Sequence, residues 1–100
     1  MAKYKVIVSK RVTTNLLTYF EFISNVSTEA ARQFVADFEL ILDRLEENPL
    51  QFQVDTSFNN PYGYRRAIFS KWFKCIFVIE GYTVYLDSIV DCRQSSNDEI

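Results

Sequence analysis

Four side chains in the second half of the chain have chemistry that could act on a ligand. Arg65, Lys74 and Arg93 are cations that can hold a phosphate or a carboxylate, and Asp91 lies two residues before Arg93. Residues two apart on a strand share a face, so Asp91 and Arg93 would form either an acid–base pair or a salt bridge. The salt bridge is the default, because an aspartate beside an arginine ordinarily stays ionised.

Arg65 is followed directly by Arg66. Neighbouring residues on a strand point to opposite faces, so only one of the two is expected to line a functional surface. Two interpretations of Arg65 stay open. It binds phosphate or carboxylate, or it is an edge arginine that pairs with an acid such as Asp87.

A basic and aromatic run lies at the turn between the second and third predicted strands: Lys71, Trp72, Phe73 and Lys74. Charge together with base stacking would let this run contact nucleic acid. The alternative is structural, with Trp72 covering the end of the sheet.

The sequence contains no histidine and only two cysteines. Ser-His-Asp and Cys-His catalysis, histidine-ligated zinc and a cysteine-only zinc site are therefore excluded, and no cofactor or metal is expected. Cys75 and Cys92 are not expected to face each other, so we interpret both as reduced thiols.

The spacing of the apolar residues predicts the helices and strands that position these side chains. Residues 3–9 alternate as a strand does, and from Lys10 the apolar residues recur every three or four positions, as in a helix that ends near Asn25. Ser27 or Thr28 would cap a second helix, which Pro49 ends. After a long loop at residues 50–63, three strand-like runs follow at residues 64–69, 73–79 and 83–90. The prediction is an α+β fold of order β-α-α-β-β-β, with a helix hairpin packed on a small, mostly antiparallel sheet.

Charge divides along these elements, although the net charge is only −2. Acidic side chains outnumber basic ones in the helices, whereas basic side chains outnumber acidic ones in the strands that follow. A basic sheet face on the side away from the helices, with Arg65 and Lys74 on one common surface, would suit a phosphate backbone or an acidic partner peptide. A solvated mixture of charges is the alternative.

One domain at residues 1–94, followed by a flexible acidic tail at residues 95–100, accounts for the whole chain. The first apolar stretch is too short for a signal peptide, and no segment is long enough to span a membrane. We therefore expect a cytoplasmic protein without membrane contact.

The whole chain resembles the RelE/ParE superfamily of toxins from bacterial type II toxin-antitoxin modules. The resemblance covers about residues 3–94 and rests on the order and spacing of several short segments. These are Val8-Ser9, the helix opening at residues 27–34, Asn48-Pro49, Tyr64-Arg65-Arg66, the strand from Phe73 to Phe77, Val84-Tyr85-Leu86 and the run from Ile89 to Arg93.

The resemblance implies a toxin of the kind associated with plasmid stabilisation, with a cognate antitoxin as partner and no small-molecule substrate. In RelE-like enzymes, which cut messenger RNA on the ribosome, Arg65 and Lys74 match positions that carry basic residues, and Arg93 lies close to another. Asp91 stands where many relatives carry histidine, and Ala67 stands where lysine is frequent. RNA cleavage also requires groups that activate the 2′-hydroxyl and protonate the leaving oxygen, and only the cations match.

The long helix hairpin and the incomplete set of catalytic residues favour the ParE branch, whose better known members inhibit DNA gyrase by protein contact. Two alternatives stay open: a RelE-like ribosome-dependent endoribonuclease, and a domain that has lost toxicity but still binds an antitoxin. The sequence pI of about 5.0 is unusual for either branch.

Overall fold

The computed structural model describes residues 3–93. The elements follow in the order β1 (Lys5–Val8), α1 (Lys10–Ser24), α2 (Thr28–Glu47), a short 3-10 helix (Pro49–Gln51), β2 (Arg65–Phe69), β3 (Phe73–Glu80) and β4 (Thr83–Asp91). The predicted α+β order, β-α-α-β-β-β, is confirmed, with strand bounds shifted by one or two residues. The predicted tail at residues 95–100 lies outside the described residues.

Serine caps start both helices. The Ser9 hydroxyl accepts a hydrogen bond from the Val12 N–H at the start of α1, and the Ser27 hydroxyl accepts one from the Ala30 N–H at the start of α2. Only Asn25, Val26 and Ser27 separate the helices, so α1 and α2 form the expected hairpin. Neither helix has an apolar stretch long enough to cross a bilayer within the part of the chain that the structure describes.

The sheet has four strands in the order β1-β4-β3-β2, so β1 and β2 are its edges. β1 runs parallel to β4, as expected for a strand that joins the sheet by a crossover, and the other pairs are antiparallel. The register of β3 against β4 shifts between Ile76 and Phe77, which face Ser88 and Leu86, so Asp87 is the extra residue of a β-bulge.

The core lies between the helix hairpin and one face of the sheet, which we call the helix face. It is rich in aromatic rings: the centroid of Phe34 in α2 lies 5.5 Å from that of Phe69 and 4.8 Å from that of Phe73. Ala67, Cys75 and other alternate strand residues complete the buried cluster. Burial of these side chains holds both helices on this one face, and we call the opposite face of the sheet the outer face.

Candidate functional site

Lys74 lies on the outer face of the sheet, where strand pairing puts it opposite Ile68 on one side and Val90 on the other. It is nevertheless buried, because the loop after the 3-10 helix folds over this face. Its Nζ lies 2.8 Å from Asp55 Oδ2 and 2.9 Å from Ser57 Oγ. The cation expected to meet phosphate is thus occupied by a carboxylate of the same chain.

Asn60 fixes the shape of the covering loop. Its side-chain amide donates to the carbonyls of Asp55 and Tyr64, at 2.9 and 2.8 Å, and its Oδ1 accepts from the Tyr64 N–H at 2.8 Å. These bonds hold Asp55 over the sheet. Burial alone would raise the pKa of Asp55, but hydrogen bonds from Lys74 and Ser57 outweigh it and hold the pKa below its usual range.

Asp55, which pairs with Lys74, was not among the residues that the sequence analysis singled out. It lies in a stretch with no hydrophobic period, so no pattern predicted which strand it would meet. The single available signal was an acid beside turn-forming residues, and such acids usually remain solvated.

Arg65 and Lys74 point to opposite faces of the sheet. Arg65 pairs with Phe77, whose side chain is in the core, whereas Lys74 pairs with Ile68, three positions further along β2. The Arg65 guanidinium donates from Nη1 to the carbonyl of Phe52 at 2.6 Å. The structure therefore does not bring these two cations together on one surface.

Arg66 points to the outer face, as its pairing with Ile76 requires, and donates to Gln53 Oε1 at 3.1 Å. The two neighbouring arginines thus face opposite ways, as expected. Asp87, considered as a partner of Arg65, instead lies 3.7 Å from Arg11 Nη1 at the start of α1. Arg65 therefore binds a backbone carbonyl of the chain, and Asp87 pairs elsewhere.

Asp91 and Arg93 form an ion pair at the end of β4. Arg93 Nη2 lies 3.1 Å from Asp91 Oδ2, and Arg93 Nε lies 3.2 Å from Oδ1, so the contact is bidentate. The strand ends at Asp91, which is buried on the helix face, and the Arg93 guanidinium lies 5.2 Å from the centroid of the Trp72 ring. Hydrogen bonding to Asp91 raises the pKa of Arg93, so the guanidinium stays charged.

Tyr19 of α1 lies next to this ion pair. Burial raises the pKa of its hydroxyl, a hydrogen bond involving the Asp91 backbone lowers it, and the charge of the Asp91 carboxylate raises it further. The net pKa is above the ordinary value, so Tyr19 stays neutral at physiological pH. Its ring centroid lies 5.0 Å from that of Phe73, which places the side chain partly within the aromatic core.

Three exposed apolar side chains meet where the helix hairpin turns. Phe22 is 65% exposed, Val26 is 84% exposed, and both line a groove of about 270 Å³ with Trp72 and Arg93. We call Phe22, Val26 and Trp72 the tip patch. Exposed apolar side chains that cluster in this way are typical of surfaces that contact another protein.

The arrangement has a limited chemical repertoire. Among residues 3–93, no three Cys, Asp or Glu side chains gather closely enough to hold a metal ion. Each of the expected catalytic cations contacts a group of its own chain: Arg65 a carbonyl, Lys74 a carboxylate and Arg93 a carboxylate. Within residues 3–93, all three cations are therefore engaged by groups of the chain itself.

Comparisons with known proteins found similarity in structure but not in sequence. No protein-family model matches the chain, and no curated protein matches it. The fold is similar to that of a chain in a solved structure described as "Chromosomal ParDE TA system from P. aeruginosa". The TM-score is 0.71 at 15% sequence identity, over 89% of this chain and 96% of that chain. At this identity the likeness concerns the fold, and it agrees with the RelE/ParE-like fold expected from the sequence.

Proposed function

We propose that this chain is the toxin of a type II toxin-antitoxin module, ParE-like in action, which inhibits its target by protein contact in the cytoplasm. A cognate antitoxin neutralises it, and DNA gyrase is the candidate target. The similarity in fold to a chain of a ParDE system supports a toxin role. The order and spacing of the short segments that resemble the superfamily support the same role.

The three candidate catalytic cations already contact groups of their own chain. This observation favours protein contact over RNA cleavage. A RelE-like mechanism would need Arg65, Lys74 and Arg93 as phosphate clamps and Asp91 as a proton carrier. Arg65 and Lys74 lie on opposite faces of the sheet, and Lys74 is buried against Asp55. RNA binding at Lys74 would first require displacement of the loop that contains Asp55.

The tip patch supplies the contact surface in this proposal. Large apolar side chains at the centre of an interface contribute most of its binding energy when they are fully desolvated. Phe22 and Trp72 are of this kind and line one groove. Charged residues at the patch should therefore abolish inhibition of the target without unfolding the domain.

Expression in a bacterial host without an antitoxin tests the proposal. Growth should stop, purified protein should inhibit supercoiling by gyrase, and primer extension on translated messages should show no new cuts. Phe22→Glu and Val26→Glu should restore growth. Leu17→Glu is the matched control, because Leu17 is 57% exposed on the same helix as Phe22 and is not part of the groove lining.

Each other outcome identifies a different function. Cuts in the ribosomal A site that Arg65→Ala abolishes would establish the RelE-like endoribonuclease and overturn the proposal. Unchanged growth at a verified level of folded protein would indicate a domain that has lost toxicity and only binds its antitoxin.

A further inference from the structure

One edge of the sheet has unpaired backbone groups. β2 is an edge strand, and the Arg66 N–H points outward, since it donates to the Gln53 carbonyl at 3.0 Å. Because strand residues alternate, the N–H and C=O of Ile68 point outward as well. Within the described residues these two groups have no hydrogen-bond partner, so the loop that covers the Arg65 end of β2 leaves the Ile68 end open.

A groove runs along this open edge, between β2 and α2. Its volume is about 530 Å³, and its apolar lining includes Leu40, which is 60% exposed, and Ile68, which is 55% exposed. Arg44 and Ile68 also line a second depression of about 260 Å³ with Gln51, Gln53 and Arg66. The two depressions share these residues and are therefore neighbours along the strand; we call them together the β2 groove.

Three cations line the β2 groove: Arg44, Arg66 and Lys71. Arg44 donates to Gln51 Oε1 at 2.8 Å, Arg66 donates to Gln53 Oε1, and the Lys71 ammonium lies 5.2 Å from the centroid of the Trp72 ring. All of these partners are neutral. No salt bridge involves the three cations in the described part of the chain, so the groove carries a net positive charge that an incoming acid would meet.

Asp37 is an acidic residue of the groove lining, and both of its carboxylate oxygens already accept hydrogen bonds. Its Oδ2 accepts from the Ser70 hydroxyl at 2.7 Å, and its Oδ1 accepts from the Gln33 side-chain amide at 2.8 Å. The bond from Ser70 ties α2 to the turn after β2, which closes one end of the groove, whereas the bond from Gln33 lies within α2. A ligand is therefore expected to extend from Ser70 toward Gln53.

We propose that the β2 groove binds an extended peptide segment that is rich in acidic and apolar residues and that adds to β2 as a fifth strand. Ile68 supplies the backbone donor and acceptor, Leu40 and Ile68 contact the apolar side chains, and Arg44, Arg66 and Lys71 pair with the carboxylates. Insofar as the segment belongs to the antitoxin, the inference rests on the function proposed above.

A peptide titration of the purified chain tests the site. The probe is a peptide of alternating valine and glutamate, about six residues long, the usual length of a strand. Binding should slow hydrogen exchange of the Ile68 amide by about tenfold or more, since that N–H becomes bonded. The same peptide with lysine in place of glutamate should leave the exchange unchanged.

Variants of the edge separate strand addition from simple attraction of charge. Ile68→Pro removes the outward N–H and leaves the bonds to β3 intact, because Ile68 does not donate to that strand, so it should abolish binding. Ile68→Val keeps the N–H and should bind as the wild type does. Leu40→Glu provides a second test if Ile68→Pro is misfolded, and Leu17→Glu on α1 is its control.

Four results would overturn the inference. The first three are no protection of Ile68, protection at the β1 edge instead, and unimpaired binding by both Ile68→Pro and Leu40→Glu. Protection that rises with protein concentration in the absence of peptide would show that a second copy of the chain fills the groove, which also overturns it. Loss of peptide binding with gyrase inhibition intact leaves the toxin proposal standing. Peptide binding without toxicity rejects the toxin proposal alone.

Discussion

Lys74 Nζ lies 2.8 Å from Asp55 Oδ2, and both side chains are buried. This ion pair joins the third strand to the loop that covers the outer face of the sheet. Ser57 donates to the same carboxylate through its backbone N–H and its hydroxyl, so the charged form of Asp55 is well satisfied. The pair explains why a polar loop lies flat on the sheet, and it gives Lys74 a structural role.

Lys74→Met should lower the free energy of unfolding by about 3–5 kcal/mol, because it leaves a buried carboxylate without its counter-charge. Urea denaturation at neutral pH measures the change. Lys71→Met is the matched control, since Lys71 is exposed, and its effect should stay within about 0.5 kcal/mol.

The double variant Lys74→Met with Asp55→Leu should recover part of the lost stability. Replacing both charges with apolar groups removes the cost of an unpaired buried charge. If Lys74→Met alone is as stable as the wild type, the ion pair does not hold the loop, and a surface role for Lys74 gains support.

Stability should decrease in acid because of Asp55. Its pKa in the folded chain is held below its usual range, so the carboxylate contributes stability at pH values above the unfolded-state pKa of about 4. That contribution is lost as the pH falls through the folded-state pKa. The difference in unfolding free energy between wild type and Asp55→Asn should therefore be constant above about pH 5 and shrink below about pH 4. A constant difference at every pH would contradict the assignment.

Arg65→Met should cost about 2 kcal/mol of stability, because the carbonyl of Phe52 loses a charged donor at 2.6 Å. Arg66→Met should cost less than about 0.5 kcal/mol, since its bond to Gln53 is at the surface. Denaturation curves measure both. Growth arrest by Arg65→Met should persist at a matched level of folded protein. Loss of toxicity at unchanged stability would instead point to a catalytic arginine.

The order of elements could be predicted because local pattern determines it. Apolar period changes at Lys10 from two to about 3.6, Ser27 and Pro49 mark the ends of α2, and glycine marks the last hairpin. The bulge at Asp87 could not be predicted. It depends on how β4 meets β3 across the whole sheet, and no local signal specifies such a register shift.

The candidate site was harder to predict than the fold. Alternation along β2 showed that Arg65 and Arg66 face opposite ways, and that prediction is confirmed. Placing Arg65 and Lys74 on one surface required the register between two strands, which composition and spacing do not supply. The burial of Lys74 depended on a loop contact formed with Asp55, nineteen residues away in sequence.

Cys75 should be inert in the native chain. Burial raises the pKa of its thiol to about 12, and the negative charge of Asp87 acts in the same direction. In a Cys92→Ser variant, iodoacetamide at neutral pH should modify Cys75 only as fast as the chain unfolds, and urea should make the reaction rapid. Rapid modification without denaturant would show that the strand opens locally.

Lys71→Gly should stabilise the chain relative to Lys71→Ala by about 1 kcal/mol, although glycine is usually the less stable choice. Lys71 sits in the turn between β2 and β3 at φ 71°, a left-handed conformation that costs free energy for any residue with a Cβ. Both variants lose the contact with the Trp72 ring, so the difference between their unfolding free energies isolates the cost of the backbone conformation.

Gly81→Ala should cost about 1 kcal/mol for the same reason, because φ there is 62° and an added Cβ meets no atom within 4 Å. Thermal unfolding of the three variants measures these differences, and equal stabilities of Lys71→Gly and Lys71→Ala would mean that the turn relaxes to accept a side chain at no cost.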